Sequence, residues 1–169
     1  MQATNEAEIL RAFMSKAGGD IFQLAKDLGL RVIRDSSLGS KSGQIEFDGR
    51  GFSISVNALE NPKRQKFTAA HEIAHYVLHR DLLKREGVLN RHTDTLFDGA
   101  EKNEEAPLKK RHEVEANRYA ARLLMPAPLV RSLFSSEDDN VDKLADLFGV
   151  SKAAMKIRLA NLGMRAKGD

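Results

Sequence analysis

Two histidines and a glutamate, His71, Glu72 and His75, form the pattern H-E-x-x-H. An α-helix turns about 100° per residue, so residues four apart in the chain share one face of the helix. His71 and His75 can therefore bind one metal ion from adjacent turns. Glu72 is rotated to the side of this pair, where it can take a proton from a water molecule that the metal activates. This spacing predicts metal-assisted hydrolysis, and zinc is the metal that the pattern favours.

The helix that must hold these residues has a clear start. Asn61 is a good N-cap, and Pro62 follows in the first turn, where the missing proline N–H costs nothing. We predict that the helix runs to about Arg80. Its apolar residues form one stripe with the histidines along the edge, as expected for a site on a core helix, and they are Phe67, Ala70, Ile73, Ala74, Val77 and Leu78.

A third ligand is predicted on a second helix, His112–Leu124. Glu113 falls within or beside the apolar stripe of this helix, whereas Glu115 falls on the opposite side, near Arg118 and Arg122. A carboxylate that points into the core is costly unless a metal or a cation meets it. We therefore predict Glu113 as the third metal ligand and Glu115 as a solvated ion-pair residue.

Other positions complete this prediction. Asn117, one turn after Glu113, is a candidate for orienting a ligand by a hydrogen bond. Two histidines and a carboxylate suit Zn²⁺, with Mn²⁺ or Fe²⁺ as alternatives. A metzincin-type site would need glycine at 78 and a ligand at 81, and the chain has Leu78 and Asp81, so that type is disfavoured. The group that stabilises the oxyanion stays open among His79, His92, His112 and Tyr119.

Length and composition limit the class of protein. The chain has 169 residues, no cysteine and a net charge of +3, so we expect one domain with a small appendage and no thiolate metal site. The polar first residues do not resemble a signal peptide, and no apolar run approaches the length of a membrane span. We expect a cytoplasmic protein with no membrane partner.

The remaining elements predict an α+β fold. A small, mainly antiparallel sheet would pack on the H-E-x-x-H helix and on the second ligand-bearing helix. Its main signal is a hairpin around Asp48-Gly-Arg-Gly51. Residues 81–111 show little periodicity, and we expect a long irregular segment there, with a short strand at most near Thr95–Phe97. The expected helices and strands before the site are 5–17, 21–28, 30–34, 44–47 and 52–56.

The C-terminal segment predicts two short helices that resemble a helix-turn-helix. Asn140 would cap the first and Ser151 the second, with Gly149 between them. DNA binding through 140–167 is an open alternative, but packing on the main domain needs the same apolar spacing, and we favour packing. We divide the chain into a metallopeptidase domain, 1–135, and a helical subdomain, 136–169.

Two segments resemble the ImmA/IrrE family of metallo-endopeptidases. They are R-Q-K-F-T-A-A-H-E-I-A-H-Y-V-L-H (64–79) and E-V-E-A-N-R-Y-A-A-R-L-L-M-P (113–126). The second is similar to the family pattern E-x-x-A-N-x-F-A-x-x-L-L-M-P, with Tyr119 in place of phenylalanine. The resemblance covers roughly residues 20–163.

The resemblance implies a gluzincin-like core that carries a zinc-type site. The ligands would be His71, His75 and Glu113, and Glu72 would be the general base. It also implies a protein substrate, a helix-turn-helix transcriptional repressor whose cleavage relieves repression. The alternative is a DNA- or repressor-binding module with a structural or vestigial metal site. The presence of Glu72 argues against that alternative, because a structural site needs no general base.

Overall fold

The computed structural model describes residues 2–92, 107–134 and 140–164. These residues form eight helices and four strands, which confirms the predicted α+β class. In chain order the elements are α1 (Gln2–Met14), α2 (Ile21–Asp27), β1 (Arg31–Asp35), β2 (Lys41–Phe47), β3 (Phe52–Asn57), α3 (Pro62–Leu78), α4 (Arg80–Glu86), β4 (Val88–His92), α5 (Pro107–Leu124), α6 (Ala127–Leu133), α7 (Val141–Phe148) and α8 (Lys152–Asn161).

The strands form one sheet in the order β1-β3-β2-β4. β2 pairs antiparallel with both β3 and β4, and β1 pairs parallel with β3. The sheet is therefore mainly antiparallel, as predicted. The strand β2 begins at Lys41, three residues before the predicted strand 44–47, because β4 pairs with Lys41 and extends the ladder there.

The predicted hairpin joins β2 to β3. One carboxylate oxygen of Asp48 accepts hydrogen bonds from the backbone N–H groups of Arg50 and Gly51, each at 2.9 Å. This side chain therefore closes the turn by satisfying backbone donors that the ladder leaves unpaired. The register places Ile45 opposite Ile54, and both are fully buried beneath the helices.

The H-E-x-x-H helix, α3, starts where the sequence predicted. The Asn61 side chain accepts a hydrogen bond of 2.9 Å from the backbone N–H of Arg64. One side of α3 packs on β2 and β3, and another side packs on α5. Ala70 and Ile73 are fully buried in this sandwich. Fully burying a side chain such as Ile73 stabilises the fold by about 1.5–3 kcal/mol, so α3 is fixed firmly in the core.

The prediction of a long irregular segment over 81–111 is wrong at both of its ends. A short helix, α4, follows α3 directly and buries Leu83, and β4 then adds to the edge of the sheet. α5 begins at Pro107 rather than His112, as proline at a first helical turn allows. The stretch Thr95–Phe97 lies outside the described residues. These elements are stabilised by tertiary contacts, so local periodicity did not indicate them.

The two C-terminal helices, α7 and α8, form where the sequence predicted, with Asn140 and Ser151 as side-chain caps. Another short helix, α6, was not predicted, because the two prolines at its start indicated only the end of α5. The division at 135 stays a prediction. No helix among the described residues has both the length and the apolar composition that a bilayer span would need.

Candidate metal centre

The middle of α3 carries three buried ionisable side chains. His71 is 0% exposed, and Glu72 and His75 are each 1% exposed. Burying such groups is costly unless hydrogen bonds or a metal compensate them. Two buried imidazoles and a buried carboxylate on one helix therefore indicate a functional site and not ordinary core packing.

The ligand atoms of His71, His75 and Glu113 converge. The two Nε2 atoms lie 3.1 Å apart, and the Glu113 carboxylate oxygens lie 2.9 Å from His71 Nε2 and 3.0 Å from His75 Nε2. Tetrahedral metal–ligand bonds of about 2.0–2.1 Å would separate the ligand atoms by roughly 3.3 Å. The three side chains therefore suit a small divalent cation, and the structure brings together the three residues that the sequence singled out.

Asn117 holds one of these histidines. Its Oδ1 lies 2.8 Å from His71 Nδ1. An amide oxygen can only accept, so the His71 ring carries a proton on Nδ1, and a neutral ring of this kind has the lone pair of Nε2 free to bind a metal. The candidate orienting residue thus lies where it selects the tautomer of His71 that can bind a metal.

The two glutamates of α5 have different environments. Burial alone would raise the pKa of Glu113, but hydrogen bonds and charge from His71 and His75 outweigh it and hold this pKa well below its usual value. Glu113 is therefore an anion at neutral pH. Glu115 is 46% exposed and pairs with Arg111 at 3.7 Å. It also lies beside His79, a contact that its predicted role as a solvated ion-pair residue did not include.

Glu72 lies against the sheet. A Cβ atom added to Gly43 of β2 would lie 3.7 Å from Glu72 Oε1, 2.5 Å from Thr68 Cγ2 and 2.8 Å from the Ser55 carbonyl oxygen. Only a glycine therefore fits between α3 and the next strand at this point. The pairing of β2 with β4 also shifts register between Lys41 and Gly43, so the strand is irregular where it passes the site.

His79 has a role that the sequence did not predict. The sequence left it as one of four candidates for stabilising the oxyanion, but it is only 7% exposed and its Nδ1 lies 2.9 Å from His75 Nδ1. Burial lowers the pKa of His79 to about 4, with further lowering from His75 and His112. The sequence did contain a signal for this contact, because His79 continues the i, i+4 series of His71 and His75 along the same helix face.

Tyr119 was another candidate for stabilising the oxyanion. Tyr119 is half-buried, and the guanidinium of Arg122 lies 5.8 Å from its ring centroid. Two of the basic residues of α8 contact the protein itself: Arg158 Nε donates to the Met125 carbonyl oxygen at 2.9 Å, and the exposed Lys152 lies 3.4 Å from Asp142.

Comparisons with known proteins give a consistent relationship. Residues 25–160 match the model of the IrrE N-terminal-like domain. The chain is 31% identical over 130 residues to the radiation response metalloprotease IrrE of Deinococcus deserti, covering 77% of this chain and 42% of the relative. It is 32% identical over 101 residues to the protein of the same name from Deinococcus radiodurans, covering 60% of this chain and 27% of that relative.

A solved structure shares the fold. A Mycobacterium tuberculosis transcriptional regulator superposes with a TM-score of 0.59 at 18% identity, over 94% of this chain and 46% of the other. At this identity the likeness concerns the fold alone. This chain spans less than half the length of each of these three proteins.

Proposed function

Because this chain belongs to the IrrE N-terminal-like domain family, we propose that it is a metal-dependent endopeptidase with His71, His75 and Glu113 as metal ligands. The observation that carries the proposal is the convergence of their ligand atoms, 2.9–3.1 Å apart. The buried carboxylate of Glu72 follows His71 on the same helix. The family implies a divalent metal. We propose Zn²⁺, with Mn²⁺ and Fe²⁺ as the other cations that this donor set accepts.

A divalent ion, when bound, supplies a positive charge that polarises a peptide carbonyl and makes a water molecule more acidic. Glu72 provides the proton transfer. One of its carboxylate oxygens takes a proton from the water as the new C–O bond forms, and then gives that proton to the leaving amine nitrogen as the C–N bond breaks. Asn117 keeps the His71 ring in its productive tautomer throughout.

The proposed substrate is a cytoplasmic helix-turn-helix transcriptional repressor, which the protein would cleave to relieve repression. Three facts support this: the resemblance to the ImmA/IrrE family, membership of the IrrE-like domain family, and the name of the Deinococcus relatives, which describes a radiation response. The half-buried Arg158 on α8 donates to a carbonyl oxygen within the chain, so this basic side chain is not free for DNA, which favours a protein partner.

The test is to incubate the purified protein with the helix-turn-helix regulator encoded nearest to its gene, with Zn²⁺, with Mn²⁺ or with a chelator. Intact mass then reports any cut. We expect one metal-dependent cut that Glu72→Gln slows by about 10²–10⁴-fold, the usual contribution of a general base. Glu86→Gln, which changes an exposed glutamate of α4, is the matched control and should cut normally.

Two results would decide against this function. A cut that persists with chelator and with Glu72→Gln would point to a contaminating protease. A stable complex with the regulator, unaffected by metal or by Glu72→Gln and accompanied by no cut, would favour a repressor-binding module.

A further inference from the structure

The contact between His75 and His79 allows only two proton arrangements when both rings are neutral. Their Nδ1 atoms lie 2.9 Å apart, a hydrogen-bond distance, so one nitrogen must donate and the other must accept. His79 is only 7% exposed, and burial disfavours a charged ring. The position of a single proton therefore determines what both rings can do.

The geometry of the metal centre selects one arrangement. His75 Nε2 points toward Glu113 Oε1 at 3.0 Å and His71 Nε2 at 3.1 Å, so Nε2 is the atom that would bind a metal. A neutral ring that binds through Nε2 must carry its proton on Nδ1. The His75 Nδ1–H then donates a hydrogen bond to His79 Nδ1. Because His79 Nδ1 is the acceptor, the neutral His79 ring carries its own proton on Nε2.

Glu115 lies at the far end of this arrangement. Its Oε1 is 3.6 Å from His79 Nε2, longer than a hydrogen bond but close enough for the negative charge to favour an N–H at that position. The backbone holds His79 in place as well, because its N–H donates to the His75 carbonyl oxygen at 2.7 Å and its own carbonyl accepts from Leu83 at 3.0 Å. The ring of His112 packs on His79 with centroids 4.6 Å apart.

We propose that His79 is a positioning residue for the metal site. It accepts the Nδ1 proton of His75 and thereby holds the His75 Nε2 lone pair toward the metal, while Glu115 keeps the His79 proton on Nε2. This inference rests on the proposed metal centre. Each of the two histidine ligands then has its own partner on the outer side of the ring: Asn117 for His71 and His79 for His75.

The same proton arrangement argues against a second metal site nearby. Potential ligand atoms of His79, His112 and Glu115 lie within 4.8 Å of one another. A metal at His79 Nε2 would need the lone pair of that atom, but the proposed arrangement leaves a proton there. We therefore expect one metal per chain, and the second cluster supports the first site.

The first experiment compares His79→Asn with His79→Leu. The two new side chains have nearly the same shape, but only asparagine offers an acceptor close to the position of Nδ1. We expect His79→Leu to weaken zinc binding by about 10–100-fold, the usual loss for a residue that orients a metal ligand, and His79→Asn to recover most of it. A purely structural role predicts equal losses for both variants and lowered thermal stability of both metal-free proteins.

The second experiment needs no variant. Nitrogen-15 spectra of the zinc-loaded protein report which ring nitrogen of each histidine carries a proton. We expect Nδ1–H on His75 and Nε2–H on His79, with one zinc per chain. Nδ1–H on His79, or two zinc ions per chain of which one is lost in His79→Leu, would overturn the inference.

His71→Ala separates this inference from the proposed function. If His71→Ala binds zinc as tightly as the unaltered chain, the proposed metal centre itself is wrong. If His71→Ala loses zinc while His79→Leu binds it normally, the metal centre stands and only the role of His79 fails.

Discussion

Asn117 Oδ1 lies 2.8 Å from His71 Nδ1, and this hydrogen bond determines which nitrogen of the ring faces the metal centre. Replacing Asn117 by leucine preserves the shape of the side chain and removes the acceptor. We expect zinc binding to weaken by about 10–100-fold, because the His71 ring then loses the group that selects its tautomer. Competition with a chelating dye measures the change. Asn161→Leu, at an exposed position of α8, is the control and should bind zinc normally.

The two glutamates of α5 should differ sharply in their effect on metal binding. Glu113→Gln removes the negative charge of a carboxylate whose two oxygens lie 2.9 Å from His71 Nε2 and 3.0 Å from His75 Nε2, so we expect zinc affinity to fall by more than about 100-fold. Glu115→Gln keeps an oxygen beside His79 and should cost only about a few-fold. Calorimetric titration of both variants distinguishes them. Equal losses would contradict the assignment of Glu113 as a ligand.

Zinc should stabilise the folded chain. A ligand that binds only the folded state at about 1,000 times its dissociation constant adds about 4 kcal/mol, which for a chain of this size raises the melting temperature by roughly 8–16 °C. Differential scanning fluorimetry with zinc and with chelator measures this shift. The shift should disappear in His71→Ala, and its persistence there would place the bound metal elsewhere.

Gly43→Ala should be destabilising. The added Cβ would lie 2.5 Å from Thr68 Cγ2 and 2.8 Å from the Ser55 carbonyl oxygen, so both the Thr68 side chain on α3 and the backbone of β2 and β3 must shift. We expect a loss of about 1–3 kcal/mol in the free energy of unfolding, together with reduced activity because Glu72 lies 3.7 Å from the same point. Urea unfolding measures the first effect. Gly51→Ala, with no atom within 4 Å of its added Cβ, is the matched control.

Asp48 gives a pH dependence with a defined sign. Backbone hydrogen bonds from Arg50 and Gly51, and then the Arg31 side chain, lower its pKa from 3.8 to about 2. A carboxyl group with a depressed pKa in the folded state contributes stability above pH 3.8 and loses it as the pH falls toward 2. Asp48→Asn should therefore lower the melting temperature at pH 6, and the difference should shrink between pH 4 and pH 2. Glu8→Gln, at an exposed position of α1, should show no such change.

The sequence predicted the features that depend only on residues close together in the chain. The Asn61 cap and the turn at Asp48 are properties of short segments, and the structure has both of them. The predicted stripe of α3 is only partly right, because residues 67–75 are buried on every side of the helix and Leu78 is 43% exposed. The choice of Glu113 over Glu115 needed only the helical phase of each residue relative to the apolar stripe. Those inferences need no knowledge of the rest of the fold.

Other features depend on distant partners. β4 is a strand because the edge of β2 is available to pair with it, and its own sequence lacks the alternation of a half-buried strand. His79 and Asn117 both bond to ring nitrogens of the H-E-x-x-H histidines, but only Asn117 was expected to do so. The i, i+4 series of histidines continues to His79, but the sequence did not predict that this residue would be buried or that the short helix α4 would follow it.

The separation of the proposed metal ligands along the chain has a consequence for folding. His71 and His75 become neighbours as soon as one turn of α3 forms, whereas Glu113 lies 38 residues beyond His75 and arrives only when α5 docks on α3. A cation present early in folding therefore meets a two-ligand site, and the third ligand arrives later. The rate at which high-affinity metal binding appears during refolding would thus report the rate at which α5 docks on α3.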